Sequence, residues 1–353
     1  MNPPALDPAT QPSKMLTEAL QAPAVAQTLL HADGDTLQAL TRSLRQAPPR
    51  ALLTVARGSS DHAAHYAAYL VMARLGLLVT SLPMSLVTLY ASRLACDGLV
   101  SLAFSQSGQS PDLLAPTGYF SAGGARTVAF VNDAASPLAQ ASQWVLPLHA
   151  GPERSVAATK SYIAQLVAGA RLVAHWEDDS PSSPLRSALT DLPEALQRAC
   201  ACDWSAAVQA LAPVNRLIVV SRGTGLAVAM EAALKLKEVC GIQAEAFSGA
   251  ELRHGPMALV EQGYPLLVLA PRGPAQAGLL ALAQDMRERG AHVLLAAPAG
   301  SAGAQLPLAS TGHEDLDPIA VAQSFYLMVE ALARARGRDP DAPPHLSKVT
   351  RTR

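Results

Sequence analysis

The chain has 353 residues, too many for one ordinary hydrophobic core and a suitable number for two α/β domains. Half of the residues are hydrophobic but only 4% are aromatic, so the core must be aliphatic and rich in alanine. Lys plus Arg (27) nearly cancel Asp plus Glu (28), and a formal charge of −1 gives neither nucleic acid nor a membrane surface a basic field to bind.

Residues 1–29 are expected as an N-terminal arm. Met1–Lys14 is rich in proline and lacks the apolar run of a signal peptide, so a cytoplasmic location is expected. A first buried strand is predicted at Ala51–Ala56, followed by the turn Arg57-Gly58-Ser59-Ser60-Asp61 and an Ala-rich helix. The most hydrophobic stretch, Tyr66–Val87, is interrupted by Arg74, Ser81 and Pro83, so no membrane span is predicted there. Further buried strands are predicted at Leu99–Phe104, Thr127–Val131 and Trp144–Leu148, and residues 178–184 read as a loop by composition. Leu217–Ser221, Leu266–Ala270 and His292–Ala296 continue the strand series.

Strands alternating with helices predict an α/β fold of parallel sheets covered by helices on both faces. The pattern repeats. Leu52–Ala68 and Leu217–Ala233 both read as strand, Arg-Gly turn and Ala-rich helix. Two tandem doubly wound domains are therefore expected, at 30–195 and 196–340, with a tail at 341–353.

Ligands of such sheets bind at the carboxyl ends of the strands, beside helix N-termini whose free N–H groups suit an anion. Two loops of the first half fit, Arg57–Asp61 and Ser105-Gln106-Ser107-Gly108-Gln109-Ser110, which together supply five serine hydroxyls and the Gln106 amide. Each loop alone is equally well explained as turn and cap chemistry. The second half has Arg222-Gly223-Thr224-Gly225 and Pro271-Arg272-Gly273-Pro274, with far fewer hydroxyls, which assigns a phosphate pocket to the first domain.

In the second half, Glu231, Lys235 and Glu238 share one helix face. By spacing alone they read as a solvated face with an ordinary i,i+4 pair. His254 precedes a Gly-Pro turn, and Lys348 lies in an extended terminal arm. His62 and His65 are spaced as H-x-x-H without a third ligand, and Cys96, Cys200, Cys202 and Cys240 lack zinc-type spacing. No metal and no cofactor are expected.

Ser105–Ser110 has the S-x-S-G-x-[ST] form of the sugar isomerase (SIS) domain family, which the chain resembles over nearly its whole length. E-A-A-L-K-L-K-E at 231–238, A-E-A-F at 244–247 and E-L-R-H-G-P at 251–256 resemble the isomerase half of glucosamine-6-phosphate synthase. The resemblance implies that Ser59, Ser60, Ser105, Gln106, Ser107 and Ser110 hold the sugar phosphate and nearby hydroxyls. The resemblance also implies a sugar-contacting segment at Val156-Ala157-Ala158-Thr159-Lys160, with Val156 and Ala157 as substrate-binding residues, in which an alanine stands where the family has serine and one hydroxyl is missing.

It also implies catalytic roles. Glu238 moves a proton between C1 and C2, and Lys235 stabilises the enolic oxygen or enolamine. His254 assists ring opening across a homodimer interface. Lys348, in a Leu-Ser-Lys-Val-Thr segment, forms a Schiff base with the ketose carbon. No cysteine precedes Cys96, so the synthase's glutaminase nucleophile is not expected here. The expected reaction is deamination of glucosamine 6-phosphate. The alternatives are another aldose–ketose phosphosugar isomerase or deglycase, and a non-catalytic phosphosugar sensor.

Overall fold

The computed structural model describes residues 11–178, 180 and 183–348. The first sheet contains β1 (Ala51–Val55), β2 (Val79–Ser81), β3 (Leu99–Ser105), β4 (Arg126–Val131) and β5 (Trp144–Pro147) in the order β2-β1-β3-β4-β5. The second contains β6 (Arg216–Ser221), β7 (Gln243–Ser248), β8 (Pro265–Leu269), β9 (His292–Pro298) and β10 (Leu306–Leu308) in the order β10-β9-β8-β6-β7. Every strand pair is parallel. The central strands are buried on both faces, as helix-covered parallel sheets require; in β3 all residues after Leu99 are buried. The expected doubly wound α/β fold is therefore observed in two copies.

All seven strands expected from the sequence are present, with ends shifted by at most two residues. The three unanticipated strands lie at sheet edges. β2 and β10 have only three residues each, and β7 is half-exposed and carries Gln243, Glu245 and Ser248 among its six. Short or polar edge strands leave little hydrophobic signal.

Residues 14–31 correct the expected arm. They form helices Lys14–Leu20 and Ala22–His31, the first capped by Ser13, whose hydroxyl accepts from the Leu16 N–H at 3.0 Å. Met15, Ala19, Ala22, Ala26 and Leu29 recur at helical spacing and are buried in the main core. Glu18, also buried, accepts from the backbone N–H groups of Arg154 (2.5 Å) and Ser155 (3.1 Å). This segment thus anchors the loop beside the candidate site.

Three long helices join the halves. Lys160–Glu177 is buried almost all round and packs against Gly58–Leu70, where Gly169 lets the Ala67 methyl approach. Leu226–Cys240 packs against both Gly58–Leu70 and Asp317–Ala335. Among the described residues one helical stretch, Glu314–Ala335, is long and apolar enough to span a bilayer, but 89% of that window is buried inside the protein. It is the core helix of the second half.

Candidate active site

In the first sheet the chain passes from β1 to β2 on one side and returns to β3 on the other, so the strand order reverses between β1 and β3. The crevice outside their carboxyl ends is the place for a ligand. It is a cleft of about 460 Å³ containing Ser59, Ser60, Ser105, Gln106, Ser107 and Ser110. Gly108 holds the serine loop in a left-handed turn (φ 62°) where any Cβ would strike Ser136.

The serine hydroxyls are oriented by protein donors. Ser59 Oγ accepts from Lys235 Nζ at 3.0 Å, and Ser60 Oγ from Gln165 Nε2 at 2.9 Å. Ser105 Oγ accepts from Gly108 N–H at 3.0 Å, and Ser107 Oγ from Gln109 N–H at 3.3 Å. A hydroxyl that already accepts still has its own O–H to donate. Four such donors at one crevice suit an anion that can only accept. Arg57, 58% exposed, stands at the rim with its Nε donating to Asp112 at 2.9 Å.

The opposite wall comes from the second half and the tail. The Leu226–Cys240 helix presents Lys235 and Glu238, and the tail contributes Leu346, Ser347 and Lys348. The helix face is not solvated. Lys235 is 1% exposed and lies between Glu231 (3.4 Å) and Glu238 (2.5 Å). Burial opposes its charge, but the two carboxylates outweigh burial and hold its pKa above that of an ordinary lysine. Glu231, also 1% exposed, accepts from the Tyr326 hydroxyl and meets His62 Nδ1, both at 2.9 Å. Burial alone would raise its pKa; Lys235, His62 and Tyr326 bring it below the usual glutamate value.

Lys348 reaches a carboxylate that sequence reasoning missed. Its Nζ donates to Glu153 Oε2 at 2.7 Å, and Glu153 is fully buried. Glu153 also accepts from Thr159 N–H (3.0 Å), Ser161 N–H (3.1 Å) and Ser161 Oγ (2.6 Å) at the start of the Lys160–Glu177 helix. Burial favours its protonation, but the Lys348 charge and these hydrogen bonds prevail and lower its pKa. Val349 and Thr350, which complete the tail motif, lie outside the described residues.

Two expected site residues lie elsewhere. Ala157 is 2% exposed and turns into the core, while its neighbours Val156 and Ala158 line the cleft. His254 is exposed on a 3₁₀ turn (Glu251–His254), beside Arg222 and Arg253 at a separate depression of about 350 Å³. The chain by itself does not bring His254 to Glu238. His62 Nδ1 faces Glu231, and among the described residues no third side chain joins His62 and His65 in a metal-ligating cluster.

A larger cleft, about 710 Å³, occupies the equivalent crevice at the ends of β6 and β8. It offers one aliphatic hydroxyl, Thr224. Two of its arginines are already neutralised, Arg272 by Asp317 (2.7 Å) and Arg74 by Asp315 (2.6 Å). This cleft is the larger, but the hydroxyl donors that suit an anion are concentrated in the smaller one.

The buried carboxylates carry a pH signature. Glu153 and Glu231 both titrate below the free-glutamate value of 4.5, so the stability they contribute is complete above that value. It is lost as pH falls through their lower folded values. Urea midpoints measured from about pH 6 down to about pH 3 should fall in the wild type and less steeply in Glu153→Gln. Equal slopes would show that Glu153 carries no such linkage.

Two parallel α/β sheets, with a hydroxyl-lined crevice on one and a buried lysine–carboxylate set facing it, give a two-lobed protein whose cleft chemistry suits an anion. The chain belongs to the SIS domain family, whose profile matches residues 44–174 and 210–307. It is 36% identical over 315 residues to glutamine–fructose-6-phosphate aminotransferase (isomerizing) of Aeropyrum pernix, covering 84% of this chain and 50% of that protein. The same enzyme of Zymomonas mobilis is 34% identical over 266 residues, covering 71% of this chain and 44% of the relative. The chain thus spans about half the length of the curated relatives it matches.

Among solved structures, a Silicibacter pomeroyi protein provisionally described as a phosphosugar isomerase superimposes with a TM-score of 0.87 at 42% identity, over 94% of this chain and all of the other. The C-terminal domain of glucosamine-fructose-6-phosphate aminotransferase from Francisella tularensis shares the fold, with a TM-score of 0.83 at 23% identity over 94% and 99% of the two chains.

Proposed function

We propose that the chain is an enzyme acting on a phosphorylated amino sugar, converting glucosamine 6-phosphate and water to fructose 6-phosphate and ammonia. The observation that carries this reading is the convergence of Lys235, Glu238 and Lys348 on the serine cleft from elements far apart in sequence. The serine O–H groups hold the phosphate. Glu238, at the cleft wall, carries a proton between C2 and C1. Lys235, kept charged between its two carboxylates, stabilises the oxygen or nitrogen that gains electron density. The 2-imino sugar then exchanges ammonia for water, with Lys348 positioned to form the intervening imine at the ketose carbon.

Ring opening requires an acid–base group near neutral pH, and His254 of a second copy fits that role because its own chain leaves it exposed. A homodimer is therefore part of the proposal. The breakdown direction is part of the proposal. A site that joins an amino group to fructose 6-phosphate also removes it, by microscopic reversibility. A second reading, plain aldose–ketose isomerisation, is favoured by the likeness to the Silicibacter protein.

Glucosamine 6-phosphate offered as sole substrate should yield ammonia and fructose 6-phosphate in equal amounts in coupled assays. Interconversion of an aldose and a ketose phosphate without ammonia would favour the second reading, and binding without turnover would leave a sensor. Binding itself is tested by Ser105→Ala with Ser107→Ala. Each lost hydrogen bond to a charged oxygen should cost about 1.5–3 kcal/mol. Unchanged calorimetric affinity would remove the phosphate from this loop.

A further inference from the structure

We infer that His62 is a positioning residue, which holds Glu231 across the boundary between the halves and thereby keeps Lys235 beside Glu238. The inference rests on the reading of the cleft as a proton-transfer site. His62 and Ser59 lie on successive turns of Gly58–Leu70, and Glu231 and Lys235 on successive turns of Leu226–Cys240. The two helices are joined at both levels, by Lys235 Nζ to Ser59 Oγ at 3.0 Å and by His62 Nδ1 to Glu231 Oε2 at 2.9 Å. His62 is 15% exposed and is absent from the cleft wall, so it acts through Glu231.

The division of donors gives His62 its leverage. Glu231 Oε1 is served by the Tyr326 hydroxyl at 2.9 Å and by Lys235 at 3.4 Å, while Oε2 faces His62. Without the imidazole, a carboxylate that is 1% exposed has an oxygen with no donor, which a dry interior penalises heavily. Lys235, whose flexible ammonium is already 3.4 Å from Oε1, is a donor within reach. Its shift towards Glu231 would answer that need and draw the ammonium away from Glu238 and Ser59. The serine loop at Ser105–Ser110, held by the Gly108 and Gln109 N–H groups donating to its own Ser105 and Ser107 hydroxyls, would stay in place. The loss should therefore fall on turnover more than on binding.

Three variants test this. His62→Leu removes the donor, His62→Asn keeps an amide N–H near the Nδ1 position, and His62→Gln places its amide one bond further out. With glucosamine 6-phosphate as substrate, His62→Leu should lose about 10- to 100-fold in kcat, the scale of one hydrogen bond to a buried charge, with a much smaller change in KM. His62→Asn should recover most of that loss. If His62→Leu does not fold by thermal melting, His62→Gln should show the same kcat loss in a folded protein. Full kcat in the folded variant, equal impairment of Asn and Leu (or Gln), or a loss confined to KM would overturn the inference. Absence of wild-type turnover would instead overturn the reading on which it rests.

Discussion

Replacing Glu238 with glutamine should leave a phosphosugar bound and cut turnover by roughly 10²–10⁴-fold, the usual scale for losing a positioned general base. Glutamine keeps the length and hydrogen-bonding reach of the side chain but cannot take up the proton. The serine loops proposed to hold the phosphate come from the other half. Lys235 retains Glu231 as a partner at 3.4 Å, so its burial remains compensated. Calorimetry and steady-state kinetics on the same preparation separate the two effects. A variant that binds and turns over normally would remove Glu238 from the chemistry, and one that fails to bind would make it a ligand contact.

Lys348 should divide its two roles between two substitutions. Lys348→Arg keeps a cation for Glu153, whereas a guanidinium stays protonated and cannot form an imine. It should melt close to wild type yet lose roughly 10²-fold or more in turnover. Lys348→Ala should lose the same activity and also stability, because Glu153 is fully buried and would be deprived of its countercharge. The stability loss is moderated by the three other donors to Glu153 and by the partial exposure of Lys348. Borohydride reduction in the presence of fructose 6-phosphate should attach the reduced sugar phosphate to Lys348 in wild type and to nothing in Lys348→Arg. An active arginine variant would exclude the imine.

The doubly wound halves were legible because buried parallel strands are continuous apolar runs, and β1, β3, β6 and β8 are of that kind. β7 was not, since its edge position tolerates Gln243, Glu245 and Ser248. Proline before residue 14 hid the helices that follow, although Met15, Ala19, Ala22 and Ala26 already carry a helical stripe. The serine loops announced themselves through composition at strand ends. The Glu231–Lys235–Glu238 face was visible by period, but only packing against Gly58–Leu70 and Asp317–Ala335 makes it buried rather than solvated.

Glu153 gave no local signal. It stands in an irregular loop, and its partner Lys348 lies 195 positions away. His62 was visible as half of an H-x-x-H pair without a third ligand, and nothing in that spacing announced that the fold turns its ring to Glu231. Pair partners across domains belong to tertiary structure, which no short-range pattern encodes. His254 is readable as a site residue only through the family resemblance, because its own chain leaves it outside the cleft.

The proton path tests the account most directly. Wild-type protein incubated with glucosamine 6-phosphate in heavy water should release ammonia in step with fructose 6-phosphate, and NMR should find deuterium at C1 of that product. Solvent label enters there when Glu238 exchanges its proton during the C2-to-C1 transfer, and internal transfer only dilutes it. In Glu238→Gln both signals should fall together. Ammonia released with full C1 labelling from Glu238→Gln, or no ammonia from the wild type, would contradict the assignment of this cleft as an amino-sugar phosphate deaminase.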